Sequence, residues 1–197
     1  MKRIFLISVF IFCLSAPSHA IGGYDEYFAV TPFSMGEAYG GAYGDVSSVW
    51  YNPAGIGAAD KFQFNSMYTD LYGLDIIKQT YLGFIVPWGK TVHGLSYATN
   101  QITFDFSTSG LFSSLGTLQY RETTMAYSVA RSFFFRNFYL GANLKYYNVT
   151  SNLTDAQGQA TGTGLDVGAL LRLTQKMSMG LSIKNLVGST KWKSGLS

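Results

Sequence analysis

From Phe62 onward the chain alternates apolar residues with polar or small ones at a period of two, which is the spacing of strands whose successive side chains point to opposite faces. Leu165, Val167, Ala169, Leu171 and Leu173 share one face, against Asp166, Gly168, Leu170 and Arg172 on the other. Phe138, Leu140, Ala142, Leu144 and Tyr146 likewise oppose Tyr139, Gly141, Asn143, Lys145 and Tyr147. Met177, Met179, Leu181 and Ile183 oppose Ser178, Gly180, Ser182 and Lys184. The pattern predicts seven strands, over about 61–72, 78–88, 91–106, 117–131, 137–150, 162–174 and 177–187. The fold class is therefore all-β.

Period two does not say what covers the oily face. In a soluble sandwich a second sheet would cover it, whereas in a transmembrane barrel lipid would, with the polar face lining the lumen. The joins between strands separate the two cases. They run from a moderate one near Gly73 to Ile77 through a tight one at Gly89-Lys90, a long one at Ser107 to Gly116, a tight one near Arg136-Asn137, a long one at Ser151 to Thr161, and a tight one at Gln175-Lys176. Short turns at one end and longer loops at the other are the habit of bacterial outer-membrane barrels. Trp88 and Phe133, Phe134 and Phe135 fall beside tight turns, and Tyr120, Tyr146 and Tyr147 toward the opposite rim, as interfacial aromatic girdles would. Lys145, Asp166, Arg172 and Lys184 fall on the face expected to line the lumen.

The stretch before the strands is of a different kind. Ser34 and Glu37 have capping-box spacing for a short helix ending at Gly40-Gly41, and Asp45 is placed to cap a second one through Val46 to Tyr51. Asn52-Pro53-Ala54-Gly55 reads as a turn, in which Asn accepts from the backbone and Pro presets φ. Small residues at Gly36, Ala38, Gly40, Gly41, Ala42 and Gly44 would let this backbone press against a wall, as a compact plug does.

Composition agrees with export and a membrane. Lys2 and Arg3 precede an apolar run from Ile4 to Leu14, and Ser18-His19-Ala20 supplies small residues for cleavage, so residues 1–20 are expected to be a signal peptide removed near Ala20. Without them 12 basic residues face 11 acidic ones, so the net charge falls from +3 to +1 and gives no reason to expect nucleic acid. Only 13% of the chain is charged while 16% is aromatic, and a soluble domain carries about twice that charged fraction. The expected cleavage also removes Cys13 and His19, leaving His93 as the one histidine and no cysteine. That leaves no nucleophile–base pair of the usual kinds and no expected metal or cofactor site. Gly162-Thr163-Gly164 with Gly168 misses the spacing of a dinucleotide loop.

The run Met35, Gly36, Ala38 and Gly40, followed by Asp45, Ser47, Trp50, Asn52, Pro53, Ala54 and Gly55, resembles the N-terminal segment of the FadL-like outer-membrane proteins. That superfamily includes the fatty-acid and aromatic-hydrocarbon transporters and the PorV/PorQ proteins of a bacterial secretion system. The resemblance implies an antiparallel transmembrane β-barrel with an N-terminal plug over residues 21–60 and a wall over 61–197. It makes Met35, Gly36, Gly40, Asp45, Ser47, Trp50, Asn52, Pro53, Ala54 and Gly55 the plug or gate. It also makes Phe33, Met35, Tyr39, Tyr43 and Trp50 candidate contacts for a hydrophobic ligand such as a fatty acid. The resemblance thus implies passive transport of hydrophobic small molecules across the outer membrane, with outer-membrane lipid as the surroundings; the alternatives are a PorV-like protein that docks exported proteins at loops such as Thr108 to Phe112, and a structural outer-membrane protein without cargo. Barrels of this superfamily have about fourteen strands, and bacterial single-chain barrels close with an even number. Seven strands therefore lead us to expect a fragment or a truncated reading frame.

Overall fold

The structure is a computed structural model that describes residues 29–107, 116–133, 137–152 and 159–193. The expected signal peptide, the loop at Thr108 to Phe112, and Phe134 and Phe135 lie outside these residues.

Seven antiparallel strands form one open sheet in the order of the chain: β1 (Gln63–Leu71), β2 (Ile77–Trp88), β3 (Thr91–Asp105), β4 (Thr117–Ser132), β5 (Phe138–Ser151), β6 (Ala160–Arg172) and β7 (Ser178–Trp192). The expected strands are all present, and the largest departure is at β7. There the ladder slips between Leu165 and Val167, so that Lys184, Asn185 and Leu186 together stand opposite Asp166. Asn185 adopts φ 53 there, and its N–H donates to Asp166 Oδ1 at 2.9 Å. This bulge carries β7 five residues past its expected end.

Burial alternates along β2 to β6, which confirms two chemically different faces. Residues 29–59 lie across one face. They form helix α1 (Val30–Ser34), helix α2 (Ser48–Tyr51) and a 3₁₀ helix (Pro53–Ala58). The core sits between this segment and the sheet, where Val46, Val49, Trp50 and Ile56 pack with Tyr81, Ile85, Val92, Ala98, Ala126 and Ala130. Ala54, Tyr139 and Leu170 form a second, smaller cluster.

The first expected helix does not form where the capping box placed it. Ser34 Oγ donates back to Thr31 O at 2.8 Å, and Gly36 and Glu37 both take positive φ, which ends helix α1 at the residue meant to start it. Pro32, whose fixed φ suits a first helical turn, is the signal that was missed. Asp45 does cap locally, since its Oδ1 accepts from Ser47 N at 2.8 Å, but α2 begins three residues later. The Asn52-Pro53-Ala54-Gly55 turn forms as expected: Asn52 Oδ1 accepts from Ala54 N at 3.1 Å and Pro53 opens the 3₁₀ helix.

The opposite face is open, and its cross-strand rows are graded along the strands. Toward the longer loops, Asp70, Lys78, Gln101, Arg121 and Thr150 are neighbours across five strands. The next row is Tyr68, Thr80, Thr99, Thr123, Asn148, Thr161 and Lys191. A mixed row follows, with Leu82, Tyr97, Met125 and Tyr146 at its centre. Then come Phe64, Phe84, Leu95, Tyr127, Leu144, Leu165 and Val187, and after them Val86, His93, Val129, Ala142, Val167 and Ile183. Nearest the tight turns the row is Trp88, Thr91, Arg131, Leu140, Ala169 and Leu181, with Phe138, Leu171 and Met179 beyond it. Tyr120 and Tyr147 belong to the covered face, so of the expected rim tyrosines only Tyr146 is on the open one.

The covered face must stay flat for the segment to sit on it. A β-carbon at Gly141 would overlap Pro53 and Ala54 N, one at Gly168 would overlap Asn52 Oδ1, and one at Gly180 would overlap Gly40 O. Replacing Gly168 by Ala should therefore lift the Asn52-Pro53 turn and cost about 1–3 kcal/mol. Limited proteolysis checks this: cleavage within residues 40–58 should quicken in Gly168→Ala while the outward-facing control Ala169→Gly leaves it slow.

Candidate functional site

Of the residues singled out in the sequence, Gly40, Asn52, Pro53 and Ala54 meet strands β5 to β7 at Gly180, Gly168 and Gly141, whereas Ser47 is held at β1 and Trp50 packs on β2. Asn52 is fully buried and uses its whole amide. Its Nδ2 donates to Gly40 O at 2.8 Å and to Ala169 O at 3.0 Å, while Oδ1 holds the turn. One side chain thus joins two parts of the segment to β6. Ser182 Oγ donates to Tyr51 O at 2.8 Å, and Ser178 Oγ donates to Gly41 O at 2.7 Å. On the other flank Gln63 Nε2 donates to Gly44 O at 2.6 Å, its Oε1 accepts from Val46 N at 3.1 Å, and Asn65 Nδ2 donates to Ser47 Oγ at 3.3 Å.

Beneath α2 lies a buried ion pair. Lys145 Nζ stands 2.8 Å from Asp166 Oδ2, with the two side chains 1% and 2% exposed. Asn143 Nδ2 contacts the same carboxylate oxygen at 3.3 Å and donates to Val49 O at 2.6 Å. Lys145 also sits 5.8 Å from the Tyr147 ring, and the Tyr147 hydroxyl donates to Asn185 Oδ1 at 2.9 Å. Removing two charges from water is costly, and good geometry with further hydrogen bonds is what recovers that cost. Here the carboxylate has three partners, and through them the pair connects α2, β5, β6 and the β7 bulge.

Of the other two charged residues expected on this face, Arg172 lies 4.3 Å from the Tyr43 ring and Lys184 5.9 Å from the Tyr51 ring. All four thus face the N-terminal segment. Among the proposed ligand contacts, Trp50 and Tyr39 are 3% and 4% exposed and packed, Trp50 edge-on to Tyr81 and Tyr39 edge-on to Tyr51. Tyr43 donates to Gln175 O at 3.1 Å. Phe33 and Met35 are exposed. Phe33 lines a largely apolar groove of about 360 Å³ with Ser34, Met67, Thr69 and Leu71. The resemblance had marked Phe33, but Met67, Thr69 and Leu71 were lost among the ordinary alternating positions of β1.

Tyr39 donates to Asp45 Oδ2 at 2.7 Å. Burial, and then the Asp45 carboxylate, pushes its hydroxyl well above the usual tyrosine range. His93 lies on the open face, with Nδ1 2.7 Å from the Tyr127 hydroxyl and its ring edge-on to Trp88. Among the described residues no three His, Cys, Asp or Glu side chains stand close enough to hold a metal ion. The arrangement is a clamp.

Two outcomes follow. Asp166→Asn strands the Lys145 charge and should cost about 3–5 kcal/mol, whereas the double change Lys145→Met, Asp166→Leu should recover most of it; urea unfolding midpoints read the difference. Tyr39 favours its neutral form in the fold, so its contribution is complete below about pH 10 and fades as pH rises through its elevated value. Tyr39→Phe should accordingly remove one late step from the phenolate absorbance titration. No protein-family model, curated protein or solved structure matches the chain.

Proposed function

We propose that the chain is the plug and part of the wall of an outer-membrane β-barrel of FadL-like type, and that it passes hydrophobic small molecules, such as a fatty acid, passively across the outer membrane. The observation that carries this reading is the graded open face. On β5 the apolar stretch runs from Tyr146 to Phe138, about 26 Å along a strand at about 3.3 Å per residue. A tilt of about 40° reduces that to about 20 Å, close to the apolar band of about 25 Å on such barrels. A cover of protein would not need the grading, with polar rows at one end and Trp88, His93 and Tyr127 near the other. The groove beside Phe33 supplies an apolar surface for a ligand at the β1 side of the plug.

The clamp favours a second reading. A plug fixed by Asn52, by the glycine trough and by the Lys145–Asp166 pair makes a static stopper, which suits a PorV-like protein that docks exported proteins at its outer loops. Cells with and without the gene distinguish the two: reduced uptake of labelled long-chain fatty acid in the deletion supports transport, while unchanged uptake with stoichiometric co-purifying protein supports docking. The membrane reading itself is tested by Leu144→Arg in the apolar band. It should cost about 2–4 kcal/mol in lipid vesicles, and an unfolding midpoint unchanged from the wild type would contradict a lipid-facing sheet.

A further inference from the structure

Above the apolar band on the open face, strands β3 to β5 carry a hollow of about 280 Å³ lined by Gln101, Gln119, Arg121, Thr150, Ser151 and Asn152. Among the described residues its lining holds one cation, several neutral hydrogen-bonding groups and no carboxylate. Arg121 is aimed by a hydrogen bond from its Nη2 to Gln101 Oε1 at 2.6 Å, and Asn152 is held by Thr117 O and Gln119 N. Directly below it on the same three strands come Thr99, Thr123 and Asn148, and below those Tyr97, Met125 and Tyr146.

We propose that this track binds a phosphorylated glycolipid of the outer leaflet. A guanidinium among neutral donors fits a phosphate, the Thr99, Thr123 and Asn148 row fits ester or amide groups, and the apolar row beneath fits acyl chains. The order of these three layers along one direction matches the order of such a lipid from headgroup to tail. The inference rests on the reading that the open face meets lipid, and it places the longer loops outside. A plain apolar surface would need only the last layer.

The test uses the full chain in detergent, titrated with bis-phosphorylated lipid A, with its dephosphorylated form and with phosphatidylglycerol. The wild type should gain thermal stability with bis-phosphorylated lipid A alone. Arg121→Ala should weaken that binding about tenfold, and Arg121→Lys should restore part of it. Equal effects of the phosphorylated and dephosphorylated lipids, an equal effect of phosphatidylglycerol, or an Arg121→Ala response like the wild type would each overturn the proposal. In all three cases membrane insertion, read separately by flotation with vesicles, would still stand; a wild type that does not float would instead remove the reading on which the proposal rests.

Discussion

The contact between the Asn52-Pro53-Ala54 turn and the bare backbone of β5, β6 and β7 is the constraint from which most of the architecture follows. Because Gly141, Gly168 and Gly180 present no side chains, the turn reaches the sheet closely enough for the Asn52 amide to bond the Ala169 carbonyl. A polar side chain buried that deeply is tolerable only when all its bonds are made. Asn52 makes them with Gly40, Ala169 and Ala54, and so fixes the spacing of segment and sheet at once. The rest of residues 40–58 then has little freedom, and the small residues between Gly40 and Gly44 keep the backbone close enough for Ser178, Gln63 and Asn65 to hold it from both flanks.

The Lys145–Asp166 pair adds direction to that contact. Apolar packing of Val49 and Trp50 on Ala98, Ala126 and Ala130 would tolerate sliding, since hydrophobic burial is non-directional. A carboxylate shared by a lysine, an asparagine and the backbone of a bulge accepts only one register. The hydrophobic core therefore supplies most of the attraction, and the buried polar cluster selects the position. The cost of burying charge is consistent with a segment that has to be held in one place.

Strand identity, order of faces and most strand ends were legible in the sequence because a half-buried strand writes its geometry directly as period two. The Asn-Pro-Ala-Gly turn was legible for a similar reason, since each residue has a local preference that agrees with its role. The helix at Ser34 was misplaced because the capping box competes with the hydrogen bond that Ser34 makes to Thr31, and two consecutive left-handed residues override it. The bulge at Asn185 left no periodic trace because it inserts two extra residues and restores the same alternation beyond them. The packed state of Tyr39 and Trp50 depends on contacts across many residues, with Asp45, Tyr51 and Tyr81, that composition does not encode.

That bulge has an effect at the margin of the sheet. An incoming foreign strand laid along β7 would match hydrogen-bonding positions on one side of Asn185 and lose step on the other, because the ladder shifts between them. A straight intruder can thus zip only part of the way. Irregularity of this kind is how sheets discourage unwanted polymerisation, so the same residue that secures Asp166 also makes this border selective about what it accepts.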